Sequence, residues 1–396
     1  MPIFESLSSE KQFVVIDLGA AYTKVGFAGE TGPRCIIRTE VKYAETGKTK
    51  KVFNYANEDE LYDLLVDFIH NLYFRHLLVS PKDRRVVIVE SLLCPTLFRE
   101  TLAKVLFRHF EVSSVLFVPS HLVALCTLGT GTALVMDVGY QEALLIPVFE
   151  GVPVLHAWQS QPLAAQAVER SLKSMLMKER DGEADFGMDP TASLSDESIE
   201  DIKVRTCFVT SLERAQKLET DSPPPPPPSV TYRADGSHTI EISGTIRESA
   251  FEILFEQDND EMSVSTMILD AILKCPLDMR KPLAENILLM GGSAMALGFK
   301  ARLVAEIKHL LTRPKYSKLA IKTFKFHTPP AKENYVAWLG GSIFGGTDMI
   351  ITRSLSKETY LKENQVPDWA CLIYNCKEED RLSVATDGRR ATQRSI

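Results

Sequence analysis

The sequence predicts an α/β protein in which two similar lobes face each other across a cleft. The chain has 396 residues, which exceeds the size at which one hydrophobic core usually divides into domains. Short apolar runs alternate with helical patterns along its length, an order typical of the α/β class. A strand–turn–strand motif centred on Asp-x-Gly also occurs twice, and such an internal repeat indicates two related halves.

Each copy of the repeated motif predicts a β-hairpin. In the first copy, the apolar residues 13–19 end in Asp-x-Gly and the extended run 23–29 follows. In the second copy, residues 133–139 end in the same way and residues 143–149 follow. Apolar residues on both sides of a tight turn are the hairpin pattern, so the two copies predict two similar lobes.

The Asp-x-Gly turns suit phosphate and magnesium. Gly19 and Gly139 would let the backbone approach closely, so that turn N–H groups point at phosphate oxygens. Asp17 and Asp137 could hold the water molecules of a bound Mg²⁺. A single Asp-x-Gly is most often an ordinary turn, but two copies from opposing lobes would clamp a polyphosphate between them.

The remaining elements follow from hydrophobic spacing. Apolar residues at i, i+3, i+4 and i+7 predict helices, and short apolar runs predict buried strands. Helices are predicted at 61–72, 98–110, 198–217 and 299–311, and strands at 86–89 and 286–290. Gly291 and Gly292 follow the last strand, where they could let a ribose or base pack against the backbone or could simply form a tight turn.

The least ordered part of the chain is predicted at 180–231. It contains six consecutive prolines at 223–228, which should form an exposed polyproline II segment without internal hydrogen bonds. Two interpretations are open: a surface linker, or a docking ligand for an aromatic groove.

The composition limits the classes of binding partner and the cellular compartments that we expect for this protein. The net charge of −7 argues against nucleic acid or an acidic membrane surface as the main partner. No apolar run approaches the roughly 18 residues that span a bilayer, so we expect no direct membrane insertion. Residues 1–12 lack the apolar stretch of a secretory signal. The seven cysteines are scattered and form no C-x-x-C pair, which favours a reduced cytosolic or nuclear compartment.

Several segments, in order along the chain, resemble actin. Residues 24–34 resemble the first phosphate-binding hairpin of actin, including its lysine. Further segments that are similar to actin lie at 147–151, 201–207, 275–281, 286–292, 338–342 and 356–360. The resemblance extends from about 13 to 362, outside 39–55 and 180–231. The chain is therefore identified as a member of the actin family.

The resemblance implies an actin-like two-lobed ATPase fold with four subdomains and a shortened subdomain 2. The implied boundaries are 1–38, 54–127 and 336–396 for subdomain 1; 39–53 for subdomain 2; 128–163 and 260–335 for subdomain 3; and 164–259 for subdomain 4, with a proline-rich loop at 218–231.

The resemblance also implies ATP or ADP with Mg²⁺ in the central cleft. Carried over by position, the implied site consists of Asp17 and Asp137 on the magnesium side, Lys24 on the phosphates, Gly19 and Gly139 at the turns, Lys203 at the ribose, and Gly291, Gly292 and Met295 on the adenosine side.

Several departures from actin predict slow or absent hydrolysis. Ala20 replaces a serine that contacts the γ-phosphate, and the second turn loses a polar side chain and a flexible glycine. Ser120 and Leu144 stand where actin orients the attacking water with a glutamine and a histidine, and leucine cannot position water by hydrogen bonding. On the adenine side the polar residues are replaced at Val204, Ala296 and Asn334. We therefore expect nucleotide binding without a catalytic residue.

A deletion predicts a role at one end of a filament. Between Arg34 and Leu61 the chain lacks the loop that actin subunits insert into a neighbour on their pointed side, and residues 46–51 are small, polar and basic. The opposite face would still receive a neighbour's loop in a cleft lined by Cys126, Gly129, Gly151 and Val152. Since filament subunits join head to tail through two different faces, losing one face predicts a pointed-end cap.

Within the family, residues 73–78 and 326–331 are similar to the actin-related subunit at the pointed end of dynactin. This implies four kinds of partner: actin-related filament subunits, actin, other pointed-end dynactin subunits and, indirectly, dynein, in the cytoplasm and on the cytoskeleton. Two alternatives are open, a nuclear subunit of a chromatin-remodelling complex and a sugar-kinase-like or chaperone-like ATPase. The acidic stretch 255–261 is either a solvated loop or a changed lateral contact.

Overall fold

The computed structural model describes residues 12–43, 47–181, 194–220, 222–234, 238–321 and 323–367. Within them the strands are β1 Val14–Leu18, β2 Tyr22–Phe27, β3 Cys35–Arg38, β4 Glu40–Lys42, β5 Thr49–Lys51, β6 Arg85–Glu90, β7 Ser114–Pro119, β8 Ala133–Val138, β9 Ala143–Phe149, β10 Val152–Pro153, β11 Gln159–Gln161, β12 Val230–Ala234, β13 His238–Ile242, β14 Ile287–Met290 and β15 Leu355–Ser356.

The α-helices are α1 Glu58–Asn71, α2 Thr96–Lys104, α3 Ser120–Cys126, α4 Ala165–Asp181, α5 Asp196–Thr206, α6 Leu212–Leu218, α7 Gly244–Ser249, α8 Val264–Lys274, α9 Leu277–Ala284, α10 Phe299–Leu310, α11 Val336–Gly345, α12 Met349–Arg353 and α13 Lys357–Glu363. No helix in these ranges is long and apolar enough to cross a bilayer. The basic C-terminal stretch 387–396 lies outside the described residues.

The two predicted hairpins, β1–β2 and β8–β9, lie in two separate sheets. In the first sheet the strand order is β15–β7–β6–β1–β2–β3, and β1 pairs antiparallel with β2 and parallel with β6. In the second the order is β10–β9–β8–β14, with β11 also on β9; β8 pairs antiparallel with β9 and parallel with β14. The repeat seen in the sequence is thus a repeat of topology, and the prediction of an α/β fold with two related hairpins is confirmed.

The central strands are buried because both faces of each sheet are covered. Residues Val14 to Ile16 of β1 and Val86 to Val89 of β6 expose at most 1% of their surface. Such near-continuous apolar runs are expected for parallel strands that are covered on both faces. These runs are what made the strands readable in the sequence.

The predicted helices are confirmed with two corrections. The segments 61–72 and 98–110 begin as α1 and α2, but each ends in a π-helical turn, Leu72–Leu77 and Val105–His109. The single helix predicted at 198–217 is wrong. It is broken after Thr206, because Val209 donates its backbone N–H to Leu297, and α6 starts anew with Ser211 as its N-cap.

Helix α11, together with α3, joins the two sheets. The Trp338 side chain is fully buried and its Nε1 donates to the Val15 carbonyl of the first sheet at 3.0 Å. The core around it also contains Val135 and Leu288 of the second sheet. One continuous apolar core therefore holds the ends of both hairpins at a fixed separation, and the cleft opens between them. The subdomain boundaries drawn from the sequence stay predictions.

Candidate functional site in the cleft

A cavity of about 920 Å³ lies between the two hairpin turns. It extends past the turns into a space bordered by the aromatic rings of Phe53, Phe98 and Phe117. The nine cleft residues implied by the sequence all line this one cavity: Asp17, Gly19, Lys24, Asp137, Gly139, Lys203, Gly291, Gly292 and Met295. Residues from four distant parts of the chain are thus brought together.

The centre of the cleft carries two carboxylates and one ammonium group. Lys24 lies opposite Asp17 in the first hairpin, and its Nζ is 3.1 Å from the Asp17 Oδ2. Burial raises the pKa of Asp137 to about 6, because the carboxylate loses contact with solvent. The negative charges of Asp17 and Glu142 raise this pKa further, and the positive charge of Lys24 lowers it only in part. A cation placed between the two carboxylates would remove this penalty.

Glycine is required where the β14 strand leaves the sheet. Gly291 has a φ of +96°, and a Cβ there would lie 2.4 Å from the Asp137 Oδ1, so any other residue would be strained and would displace the carboxylate. The Ser293 hydroxyl donates to the Gly139 carbonyl at 2.8 Å. These contacts fix the segment after β14 against the second turn.

The cavity wall that α5 and the segment after β14 form is polar at one end and apolar at the other. The Lys203 Nζ is 2.6 Å from the Glu169 Oε1, and both side chains are nearly buried. Val204 and Leu297 are 70% and 78% exposed at the rim. The Asn334 Oδ1 is buried, lines the cavity wall and has no hydrogen-bond partner, so it is an acceptor that a bound ligand could satisfy.

The side chain opposite Asp137 in the second hairpin cannot form a hydrogen bond to water. Leu144 stands opposite Asp137 in the second hairpin, the place that Lys24 occupies in the first, and is 2% exposed. His121 is buried beside it, but its ring nitrogens face the Ser120 hydroxyl at 3.1 Å and the Leu144 carbonyl at 3.3 Å. Burial lowers the pKa of His121 to about 4. This imidazole is therefore neutral at pH 7 and bonded within the protein.

Charged side chains also join the lobes at the mouth of the cleft. The Tyr22 hydroxyl donates to the Glu200 Oε1 at 2.8 Å, and the Arg38 Nη2 donates to the Glu200 Oε2 at 2.7 Å. The Lys51 Nζ lies 3.8 Å from Asp196 and 3.4 Å from the Tyr140 hydroxyl. We call these five residues and Tyr140 the cleft latch.

Sequence reasoning missed the cleft latch. Tyr22 and Arg38 are cross-strand partners, and α5 begins with acidic residues. Those two local signals were readable, but nothing in the sequence showed that the two elements meet across the cleft.

The residues present fit a magnesium nucleotide. In the part of the chain that the structure describes, no three His, Cys, Asp or Glu side chains form a direct metal cluster. Two carboxylates are nevertheless the ordinary protein contribution for Mg²⁺, which keeps several waters and is otherwise held by substrate phosphates. Lys24 could supply a charge for the phosphates, and the absence of a Cβ at Gly19 and Gly291 lets the backbone of Tyr22 and Val138 approach each turn closely.

A second, smaller pocket lies away from the cleft. It has a volume of about 260 Å³ and is lined by Leu122, Leu125, Cys126, Gly129, Thr130, Gly131 and Gly151. Val152, next to this lining, is 64% exposed. Three of the four residues named from the sequence for receiving a neighbour's loop, Cys126, Gly129 and Gly151, therefore line one shallow apolar site, which we call the receiving pocket, and Val152 directly follows Gly151 in the chain. Their role in receiving a loop stays a prediction.

The shortened hairpin β4–β5 contrasts with this pocket. Its apolar residues Val41 and Val52 are 3% and 0% exposed. Lys50 forms an ion pair with Glu60 of α1, and Lys51 belongs to the cleft latch. The two valines and Lys50 and Lys51 thus contact the body of the protein, whereas residues 42–43 and 47–49 are exposed.

Comparison with known proteins identifies a family and a similar relative. A family model described as Actin matches residues 58–367. The chain is 29% identical to "Actin-related protein 10" of Dictyostelium discoideum, in an alignment that covers 96% of this chain and 93% of that protein.

Proposed function

This chain belongs to the actin family, and from that premise we propose that it is a non-catalytic structural subunit that caps the pointed end of the actin-related filament of dynactin. Its partners are then actin-related subunits and actin in that filament, the other pointed-end subunits and, indirectly, dynein. This assigns the protein to the cytoplasmic cytoskeleton and to microtubule-based transport. The name of the similar Dictyostelium protein, an actin-related protein, is in line with this proposal.

One observation carries the proposal: the two faces that a filament subunit would use differ. The receiving pocket is open and apolar, and Val152, which follows the lining residue Gly151 in the chain, is exposed. The hairpin β4–β5 turns its valines inward and ties two lysines to Glu60 and Asp196. Apolar anchors dominate interface energies, so the first face keeps a binding site, whereas the described residues of the second expose no aliphatic anchor.

A subunit with one functional face ends a filament. Head-to-tail assembly continues only while each added subunit presents both faces. The receiving pocket would accept the loop of the terminal subunit, and the reduced hairpin would then offer nothing to the next one. Growth stops at that end, and the far surface is free for other proteins.

We infer that ATP or ADP with Mg²⁺ is held and not turned over. Asp17, Asp137 and Lys24 provide the charges for binding, whereas Leu144 provides no hydrogen bond to an attacking water. The bound nucleotide would then act as a structural element between the lobes.

The alternative is a nuclear actin-related subunit of a chromatin-remodelling complex, which would share the fold and the poor hydrolysis. The reduced hairpin favours the cap, because a subunit that never joins a filament has no reason to keep one filament face and lose the other. Co-purification separates the two: dynein and dynactin subunits in the first case, histones and remodelling ATPases in the second.

The proposal is tested by elongation of actin-related filaments in the presence of small amounts of this protein. We expect growth to stop at one end, and V152D to abolish the effect because it places a charge at the receiving pocket. L78D is the matched control, since Leu78 is also an exposed apolar residue, at 76%, and lies outside the pocket lining. Equal capping by V152D and the unmodified protein would contradict the proposal.

A further inference from the structure

The proline run at 223–228 is held in a fixed orientation on the protein surface. Proline fixes its own φ near −65°, and each residue that precedes a proline is restricted to extended ψ values. Five of the six prolines are followed by another proline, so the run has essentially one conformation, polyproline II. That helix repeats every three residues and therefore presents three ridges.

The structure packs one of these ridges against the body. Pro224, Pro227 and then Val230 are half-buried, at the three-residue spacing that polyproline II requires. Gly244, at the start of α7, lies so close to the run that a Cβ there would be 1.7 Å from the Pro227 carbonyl oxygen. The inner ridge thus rests on a surface shaped by a glycine.

Two arginines fix the rotation of the run. The Arg214 Nη2 donates to the Pro225 carbonyl at 2.8 Å, and the Arg247 Nη1 donates to the Pro228 carbonyl. Arg214 is itself held by Glu248, which is 1% exposed. Arg247 also donates from its Nε to the Thr206 carbonyl at 2.8 Å. A simple spacer needs only length, whereas these contacts determine which ridges face outward.

The other two ridges are exposed. One carries Pro223 and Pro226, and the other carries Pro225 and Pro228; all four side chains are exposed. Grooves that recognise polyproline II bind PxxP segments between aromatic side chains. Such a groove needs two ridges of the three-sided helix, and it leaves the third pointing away. The buried ridge is the one that such a partner would not use.

We propose that residues 223–228 are a preformed docking ligand for a protein domain with an aromatic-lined, proline-binding groove. The run carries no charge, which fits an apolar groove and does not fit a nucleic acid or an anionic membrane. Ordering a flexible peptide costs free energy on binding, and a segment already held in its bound conformation avoids that cost. This role is independent of filament capping and of the nucleotide.

The test uses the full chain and three probes, an isolated SH3 domain, a WW domain and an EVH1 domain, each isotope-labelled for NMR. We expect the full chain to shift the aromatic-groove resonances of at least one probe. P223A/P226A, which removes one exposed ridge, should weaken that binding by about tenfold or more, because a few anchors dominate such interfaces. P225A/P228A tests the second ridge independently.

The control is P162A/P314A, which removes two prolines that are also exposed but lie outside the run. It should leave the binding unchanged. Groove resonances that stay unshifted in all three probes would overturn the proposal, and the run would then be a surface linker. Binding that P223A/P226A and P225A/P228A both leave intact would overturn it as well, because the contact would then lie elsewhere on the protein.

Discussion

Replacing Asp137 with asparagine should make the ligand-free protein more stable and at the same time remove its capacity for a magnesium nucleotide. Asp137 is a carboxylate at the end of β8, and its folded environment favours the neutral form. An asparagine has nearly the same shape and no charge. A residue that costs stability when the site is empty is typical of a functional position.

The size of the effect follows from the pKa of Asp137, which rises from 3.8 to about 6 on folding. Below both values the carboxyl is protonated in both states and contributes nothing. As the pH rises through them, the folded protein must hold an unfavourable charge, so stability is lost. At about 1.4 kcal/mol per pKa unit, the cost above pH 6 is at most about 3 kcal/mol. Because the Asp137 side chain is only half-buried, we expect about 1–3 kcal/mol.

The assay is urea unfolding at pH 4.2 and pH 7.5, followed by the fluorescence of the tryptophans, one of which, Trp338, is fully buried. D137N should be more stable than the unmodified protein at pH 7.5, and the difference should fall to less than about 1 kcal/mol at pH 4.2, which lies between the two pKa values. D63N is the control, since Asp63 is exposed on α1 and its replacement should change neither value. A fluorescent ATP analogue measures binding in the same samples.

Two results would refute this reasoning. If D137N were less stable at pH 7.5, the carboxylate would be a structural partner and not a poised ligand. If D137N bound the magnesium nucleotide as tightly as the unmodified protein does, the Asp137 carboxylate would make no contribution to nucleotide binding.

Three further predictions concern the latch, the core and the hydrolytic side. E200A removes the partner of Tyr22 and Arg38; in stopped flow it should speed nucleotide release by about 5–30-fold, and an unchanged rate would mean that the latch does not hold the cleft. R302A removes two hydrogen bonds of 2.9 Å that the buried Arg302 donates to Glu252. It should lower the free energy of unfolding by about 3–5 kcal/mol, and a loss below about 1 kcal/mol in urea unfolding would contradict this. S120Q/L144H should not restore actin-like phosphate release, because the first turn still lacks its serine.

The sequence predicted the hairpins and the cleft residues because their signals are local. An apolar run that ends in Asp-x-Gly fixes both a strand and a turn, whatever the rest of the chain does. Family likeness then assigned Lys203 and Met295, which no periodicity would have singled out. All of the cleft residues line the same cavity.

What the sequence did not reveal depends on contacts between distant segments. The break between α5 and α6 arises because Val209 pairs with Leu297, and a helical spacing cannot show that. The cleft latch needs Arg38 of one lobe to meet Glu200 of the other. The orientation of the proline run likewise depends on Arg214 and Arg247, which lie on separate helices.

The most direct test of the capping function is to locate this protein on preformed actin-related filaments by electron microscopy, with a label attached to its N-terminus. The account predicts label at one end of each filament, and always at the pointed end. Label distributed along the filaments, or at both ends, would contradict it.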